Sequence, residues 1–141
     1  MVRDCGAWIN LMSHTVKKRL NAGLANLGVT GVQSQVMHFI MARCSKGPVF
    51  QRDVEDAFDL SRSTAAGILN QLERRGLIRR EGVAEDGRLK SLIPTQQAVA
   101  LQEEVHACIQ EIEAEMTKNI SPEERQQFLD ILSRMYQNLS E

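Results

Sequence analysis

Apolar residues recur at steps of three and four over most of this chain, and at steps of two in one short region. Trp8, Leu11, Met12, Val16, Leu20, Leu24 and Leu27 mark one face of a helix over about 5–27. Lys17, Lys18 and Arg19 lie across its other side, and Gly28 is placed to stop it. Thr30-Gly31-Val32-Gln33 fits a capping box and starts a second helix, with Val36, Phe39, Ile40 and Cys44 inward and Gly47-Pro48 at its end. Val49-Phe50 has room only for an edge strand. A short helix over about 51–58 follows, with Val54, Ala57 and Phe58 inward. Ser61 is a good N-cap for the next helix, about 62–75, which turns Ala65, Ile68, Leu69 and Leu72 to the core. Gly76 stands where a left-handed closing residue is wanted. Leu77 to Arg80 and Leu89 to Ile93 read as two strands, with Gly82 and Asp86-Gly87 marking the turn. Thr95 caps a long helix of about 96–118, striped by Leu101, Val105, Cys108, Ile109, Ile112 and Met116. Ser121-Pro122-Glu123-Glu124 opens a last helix carrying Phe128, Ile131, Leu132, Met135, Tyr136 and Leu139.

Two short helices, a tight turn and a hairpin describe a winged helix-turn-helix, within a mainly α chain whose only sheet is the hairpin wing. The major groove of DNA admits one helix, and that helix must offer small or polar residues at its N-terminal end. Ser61, Arg62, Ser63 and Thr64 supply hydroxyls, a guanidinium and free amides for phosphate. Ala66 and Gly67 keep the exposed face thin, and Asn70 or Arg62 has the reach for base edges. The first and last two helices carry more apolar surface than one chain of 141 residues can bury, which predicts a two-fold homodimer.

Composition alters this picture in one respect. The net charge of −1 argues against a polyanion as partner, but its distribution does not. Residues 1–94 carry 14 Lys+Arg against 9 Asp+Glu, and residues 95–141 carry 3 against 9. A basic face set apart from an acidic C-terminal helical pair is expected. With 43% hydrophobic and 25% charged residues the chain is of ordinary globular composition. No apolar run approaches the roughly 18 residues of a membrane span, and MVRDCGAWIN is not a signal segment; a cytoplasmic location and no membrane partner are expected. Cys5, Cys44 and Cys108 are odd in number and widely spaced, unlike a disulfide framework. The sequence carries no phosphate loop, nucleophile elbow or paired metal motif, so neither an enzyme nor a cofactor is expected.

LSRSTAAGILNQLERRGLIRRE, followed by EDGRLKSLIPT, resembles the MarR family of bacterial and archaeal transcription regulators. Asp86-Gly87-Arg88 matches the family's wing motif. Pro94 replaces its usual Leu, and Ala98 stands where Gly is frequent. The resemblance implies one domain over 1–141, with a winged DNA-binding lobe at 30–95 and dimerisation helices at 1–29 and 96–141. It implies that Arg88 enters the minor groove, that Asp86 orients Arg88 or holds the wing turn, and that Lys90 meets a phosphate. It also implies a repressor on a pseudo-palindromic duplex operator, released by a small aromatic or lipophilic effector in a pocket lined by Met12, His38 and Met41. Zinc-sensing and peroxide-sensing branches of the family are alternatives. However, His106 is followed one turn later by Gln110 instead of a second His, and Cys5 has no tyrosine pair beside it, so no metal site is expected. A winged helix serving only protein interactions is the rival from another class. Arg62, Arg79, Arg80, Arg88 and Lys90 weigh against it.

Overall fold

The computed structural model describes residues 3–83 and 86–140, the side chains at 86 and 87 excepted. In chain order these residues form α1 (Cys5–Asn26), α2 (Gly31–Cys44), α3 (Gln51–Phe58), α4 (Arg62–Arg74), β1 (Ile78–Val83), β2 (Asp86–Pro94), α5 (Gln96–Met116) and α6 (Pro122–Leu139). The elements and their order match the expected winged helix-turn-helix with flanking N- and C-terminal helices.

Most helix starts are set by the residues the sequence singled out. Thr30 Oγ1 accepts from Gln33 N–H and Gln33 Oε1 from Thr30 N–H, each at 3.1 Å, completing the capping box. Ser61 Oγ accepts from Thr64 N–H at 3.1 Å, and Thr95 Oγ1 from Ala98 N–H at 3.2 Å. Ser121 and Glu124 form a second reciprocal box, and the Ser121 N–H holds the Glu124 carboxyl below the usual carboxylate range. Two starts lacked a prior signal. Asp4 caps α1 through Ala7 N–H at 2.7 Å, and Asp53 reaches back to Phe50 N–H at 2.8 Å to open α3.

One core gathers Leu24 and Val29 beside α1, Val36, Met37 and Ile40 on α2, Val54 on α3, and Leu69 and Leu72 on α4. Val49 before α3, Leu77, Ile78 and Leu92 from the hairpin and Ala98 and Val105 from α5 complete it. Phe39 and Phe58 meet edge to face at 5.6 Å beside it. Ala57, expected inward, is exposed. On so short a helix the buried line runs through Val54 and Phe58, four apart, and Ala57 falls on its flank.

β1 and β2 pair antiparallel from Ile78↔Pro94 to Gly82↔Lys90, then jump to Val83↔Asp86. Residues 87–89 are therefore extra on β2, and the ladder breaks at the wing tip. Pro94 costs β1 nothing. Leu92 N–H points away from β1, to Val49 O at 2.7 Å, and the residue two further on faces the same way. The expected edge strand at Val49-Phe50 amounts to this one backbone bond.

α1 and α5 cross closely. A Cβ built on Gly23 overlaps Cys108 Sγ, so only glycine permits this approach with Cys108 as it stands. One turn away Arg19 grips Glu115 through two hydrogen bonds, at 3.0 and 2.6 Å. That contact raises the Arg19 pKa and lowers that of Glu115. No helix among the described residues is long and apolar enough to cross a membrane.

Gly23→Ala is expected to destabilise the chain by about 1–3 kcal/mol through overpacking, despite the better helix propensity of Ala. Adding Cys108→Ala removes the clashing sulfur and should recover much of the loss. Thermal unfolding of the two single variants and the double variant tests this, and additive losses would contradict the crossing.

Candidate nucleic-acid interface

α3 and α4 are joined by Asp59, Leu60 and Ser61 alone. Asp59 takes a left-handed conformation, φ 52°, which lets its own N–H and that of Leu60 both close on Glu55 O. The Gln51 side chain spans the turn and donates to Arg62 O at 3.2 Å. α4 buries Ala65, Leu69 and Leu72, so Arg62, Ser63, Ala66, Gly67 and Asn70 are left on its outer side.

That outer side and the wing enclose a cleft of about 1220 Å³. Arg52 of α3, Arg62 of α4, and Arg80, Arg88 and Lys90 of the hairpin line it, against two carboxylates, Asp53 and Glu55. Asp53 is occupied by the Phe50 N–H and Glu55 by the Gln51 amide, at 3.2 Å. The start of α4, with its free amides and positive dipole end, opens at this cleft. A groove with this charge and an exposed helix along one wall suits a phosphate backbone.

Most of the residues expected at a DNA interface gather here. Ser61, Arg62 and Ser63 line the cleft with Ala66, Arg88 and Lys90. Thr64 is exposed beside them and accepts from Ser61 Oγ at 2.9 Å. Gly67 and Asn70 are exposed on the same helix. Asp86 lies outside the described residues as far as its side chain is concerned. Nothing in the fold demands a glycine at 67, because a Cβ there meets no atom within 4 Å. Its thinness matters only to something that approaches from outside.

Arg52 and Gln51 join the cleft without having been singled out for it, and of the basic pair Arg79-Arg80 only Arg80 does. Strand alternation was the available signal for Arg80, since it places Arg79 on the opposite face, where Arg79 pairs with Glu81 at 2.9 Å. No sequence signal brings Arg52 here; its position depends on how α3 packs against α4.

Of the three residues expected around an effector, His38 and Met41 lie three apart on α2 and Met12 lies on α1. Met12 is exposed on α1, Met41 packs against the core, and His38 Nδ1 meets Gln102 Nε2 of α5 at 3.1 Å. Cys5 is exposed, and Cys44 Sγ donates to Met41 O at 3.3 Å.

A model of the MarR family matches residues 27–89, from the end of α1 to the wing. The structure is similar over its whole length to MepR, a transcription regulator of the Staphylococcus aureus multidrug efflux pump MepA. Identity is 24%, coverage 98% of this chain and 100% of that one, and the TM-score 0.87. The S. aureus MepR–DNA complex matches with 25% identity, the same coverage and a TM-score of 0.76. A single-site mutant of MarR from E. coli shares the fold at 21% identity and a TM-score of 0.77, covering 96% of this chain and 98% of that one.

Two outcomes test the cleft. Gly67→Gln should raise thermal stability by roughly 0.5–1 kcal/mol, from better helix propensity, while weakening binding to duplex DNA. Lys90→Ala should lower the slope of log affinity against log salt by about 1, the signature of one lost phosphate contact. Gel-shift or fluorescence titrations across salt concentrations read both, and unchanged affinity and slope would remove the cleft from consideration.

Proposed function

We propose that this chain, which belongs to the MarR family of DNA-binding transcription regulators, is a homodimeric repressor that reads a pseudo-palindromic operator and releases it when a small molecule binds. The observation that carries the DNA reading is the cleft, where five cations from α3, α4, β1 and β2 surround the exposed face and start of α4. In this reading Ser61, Arg62, Ser63 and Thr64 bind phosphate at the start of α4, and Ala66, Gly67 and Asn70 lie against base edges. Arg88, in the bulged wing tip, enters the minor groove, where narrowing concentrates negative potential. Lys90 and Arg52 neutralise phosphates on either side. Asp86 steadies the wing turn. Residues 30–95 then form the DNA-binding lobe, and 1–29 and 96–141 form the dimer. A cytoplasmic site of action follows from such a target.

Surface area supports the dimer. The chain exposes 10421 Å², whereas a compact monomer of 15.9 kDa exposes about 7400 Å². The excess of roughly 3000 Å² per chain, about 6000 Å² over two chains, lies at the large end of what obligate dimers bury. It is apolar where it matters: Trp8 is 52% exposed, Phe128 60%, Tyr136 73% and Leu139 89%, and no residue of α6 is buried. A second copy of the chain is the occupant that symmetry favours, because these residues lie at both ends of the sequence and none lies in the cleft. Two lobes so held would read half-sites about one helical turn, roughly 10 bp, apart.

Release requires an effector that binds one spacing of the two lobes better than the other. MepR is described as regulating a multidrug efflux pump, which supports a small aromatic or lipophilic molecule as the signal. Met12 of α1 and His38 and Met41 of α2 would line the pocket for it.

Sedimentation should give about twice 15.9 kDa for the full chain. Deleting residues 121–141 should lose the dimer and, with it, operator affinity. A truncated chain that remains soluble and dimeric would refute this placement of the interface.

A further inference from the structure

We propose that Arg80 decides which bases α4 reads, by fixing the orientation of the Asn70 carboxamide. The inference rests on the reading of α4 as the helix that occupies the major groove. Arg80 leaves β1 toward α4, and its side chain is 24% exposed, against 62% for its neighbour Arg79. Nη1 donates to Asn70 Oδ1 at 3.1 Å and lies 3.6 Å from Glu73 Oε1. Nη2 is buried and, among the described residues, meets no hydrogen-bond partner. The guanidinium is therefore held against α4 by these two acceptors although one of its nitrogens goes unsatisfied there.

A guanidinium has donors and no acceptor. The Asn70 atom that faces it must be the oxygen, and the amide nitrogen must face away. Asn70 is exposed, one turn beyond Ala66 and two beyond Ser63, both of which line the cleft with Arg80. A free carboxamide in the major groove uses both ends at once, donating to adenine N7 and accepting from its N6. Asn70, with its oxygen turned to Arg80, leads with its N–H groups. The matching edge is one that only accepts, guanine with O6 and N7 foremost. Arg80 is thus a positioning residue that acts on base choice through Asn70 and touches no base itself.

The test is selection of bound duplexes from a library of randomised sequence by the full-length wild type, Asn70→Asp, Arg80→Met and Arg80→Lys, with thermal unfolding of each. Asp at 70 keeps an acceptor for Arg80 and replaces the outward donors by an acceptor. Preference at one base pair per half-site should switch from guanine to cytosine, whose N4 donates, while other positions hold. Arg80→Met frees the carboxamide and should erase a preference on the order of ten-fold at that same base pair. Arg80→Lys, which also only donates, should keep part of it. Identical preferences in all four proteins overturn the proposal. So does a loss spread evenly over every position together with a lowered unfolding temperature, which would mark Arg80 as a structural prop. Failure of the wild type to select any sequence overturns the DNA reading as well, whereas selection by the wild type with unchanged preferences in the variants overturns this inference alone.

Discussion

The geometry of the winged-helix lobe depends on a small joint where α4, the wing and α5 meet. Gly76 closes α4 at φ 74°, and Leu77 N–H returns to Leu72 O at 3.0 Å. Thr95 N–H donates to Leu77 O at 3.1 Å and Thr95 Oγ1 to Gly76 O at 2.6 Å, so the far end of the hairpin comes back to the point where it left. The same hydroxyl caps α5. The exit of α4, both roots of the wing and the start of the long helix are therefore pinned within a few residues. A left-handed backbone is required at the centre, and a side chain at 76 would in addition meet Gln97 Oε1 at 2.9 Å. The start of α5 and the roots of the wing are thus tied to each other through Thr95.

Charge is partitioned to match. α5 and α6 hold eight of the 18 acidic residues, and part of that acid is used locally: Glu115 on Arg19, Glu113 on Arg125, Glu124 on its own cap. The cations of the cleft, by contrast, outnumber carboxylates that are already engaged by nearby donors. A chain of net charge −1 can therefore present a strongly positive groove. The exposed ion pairs contribute little to stability each. Arg19–Glu115 fastens the crossing of α1 and α5, and Arg125–Glu113 gives the otherwise loosely packed α6 one attachment to its neighbour.

The two ends of the chain differ from the lobe in what they leave undone. The lobe, with Leu24 of α1 and Ala98 and Val105 of α5, closes a full core that leaves Val36, Met37, Ile40, Leu69 and Leu72 out of contact with solvent. α6 completes nothing by itself, although its start is among the best specified in the chain. Its strong local capping fixes the helix while Phe128, Tyr136 and Leu139 stay exposed along it.

Local signals determined much of this protein. The capping boxes at Thr30 and Ser121, the left-handed stops at Gly28 and Gly76, and the 3.6-residue stripes located the helices to within a residue or two, because caps and periodicity act over one or two turns. The charge split and the LSRST…RGLIRR stretch pointed to the DNA-binding lobe for the same reason: the needed residue types are contiguous. Only the tertiary structure decided what depends on packing between elements. It turned Ala57 outward, brought Arg52 beside the wing and required glycine at 23 to let Cys108 pass. Each of these depends on contacts between elements far apart in sequence, set by how helices cross and pack, which a pattern read along one chain cannot contain.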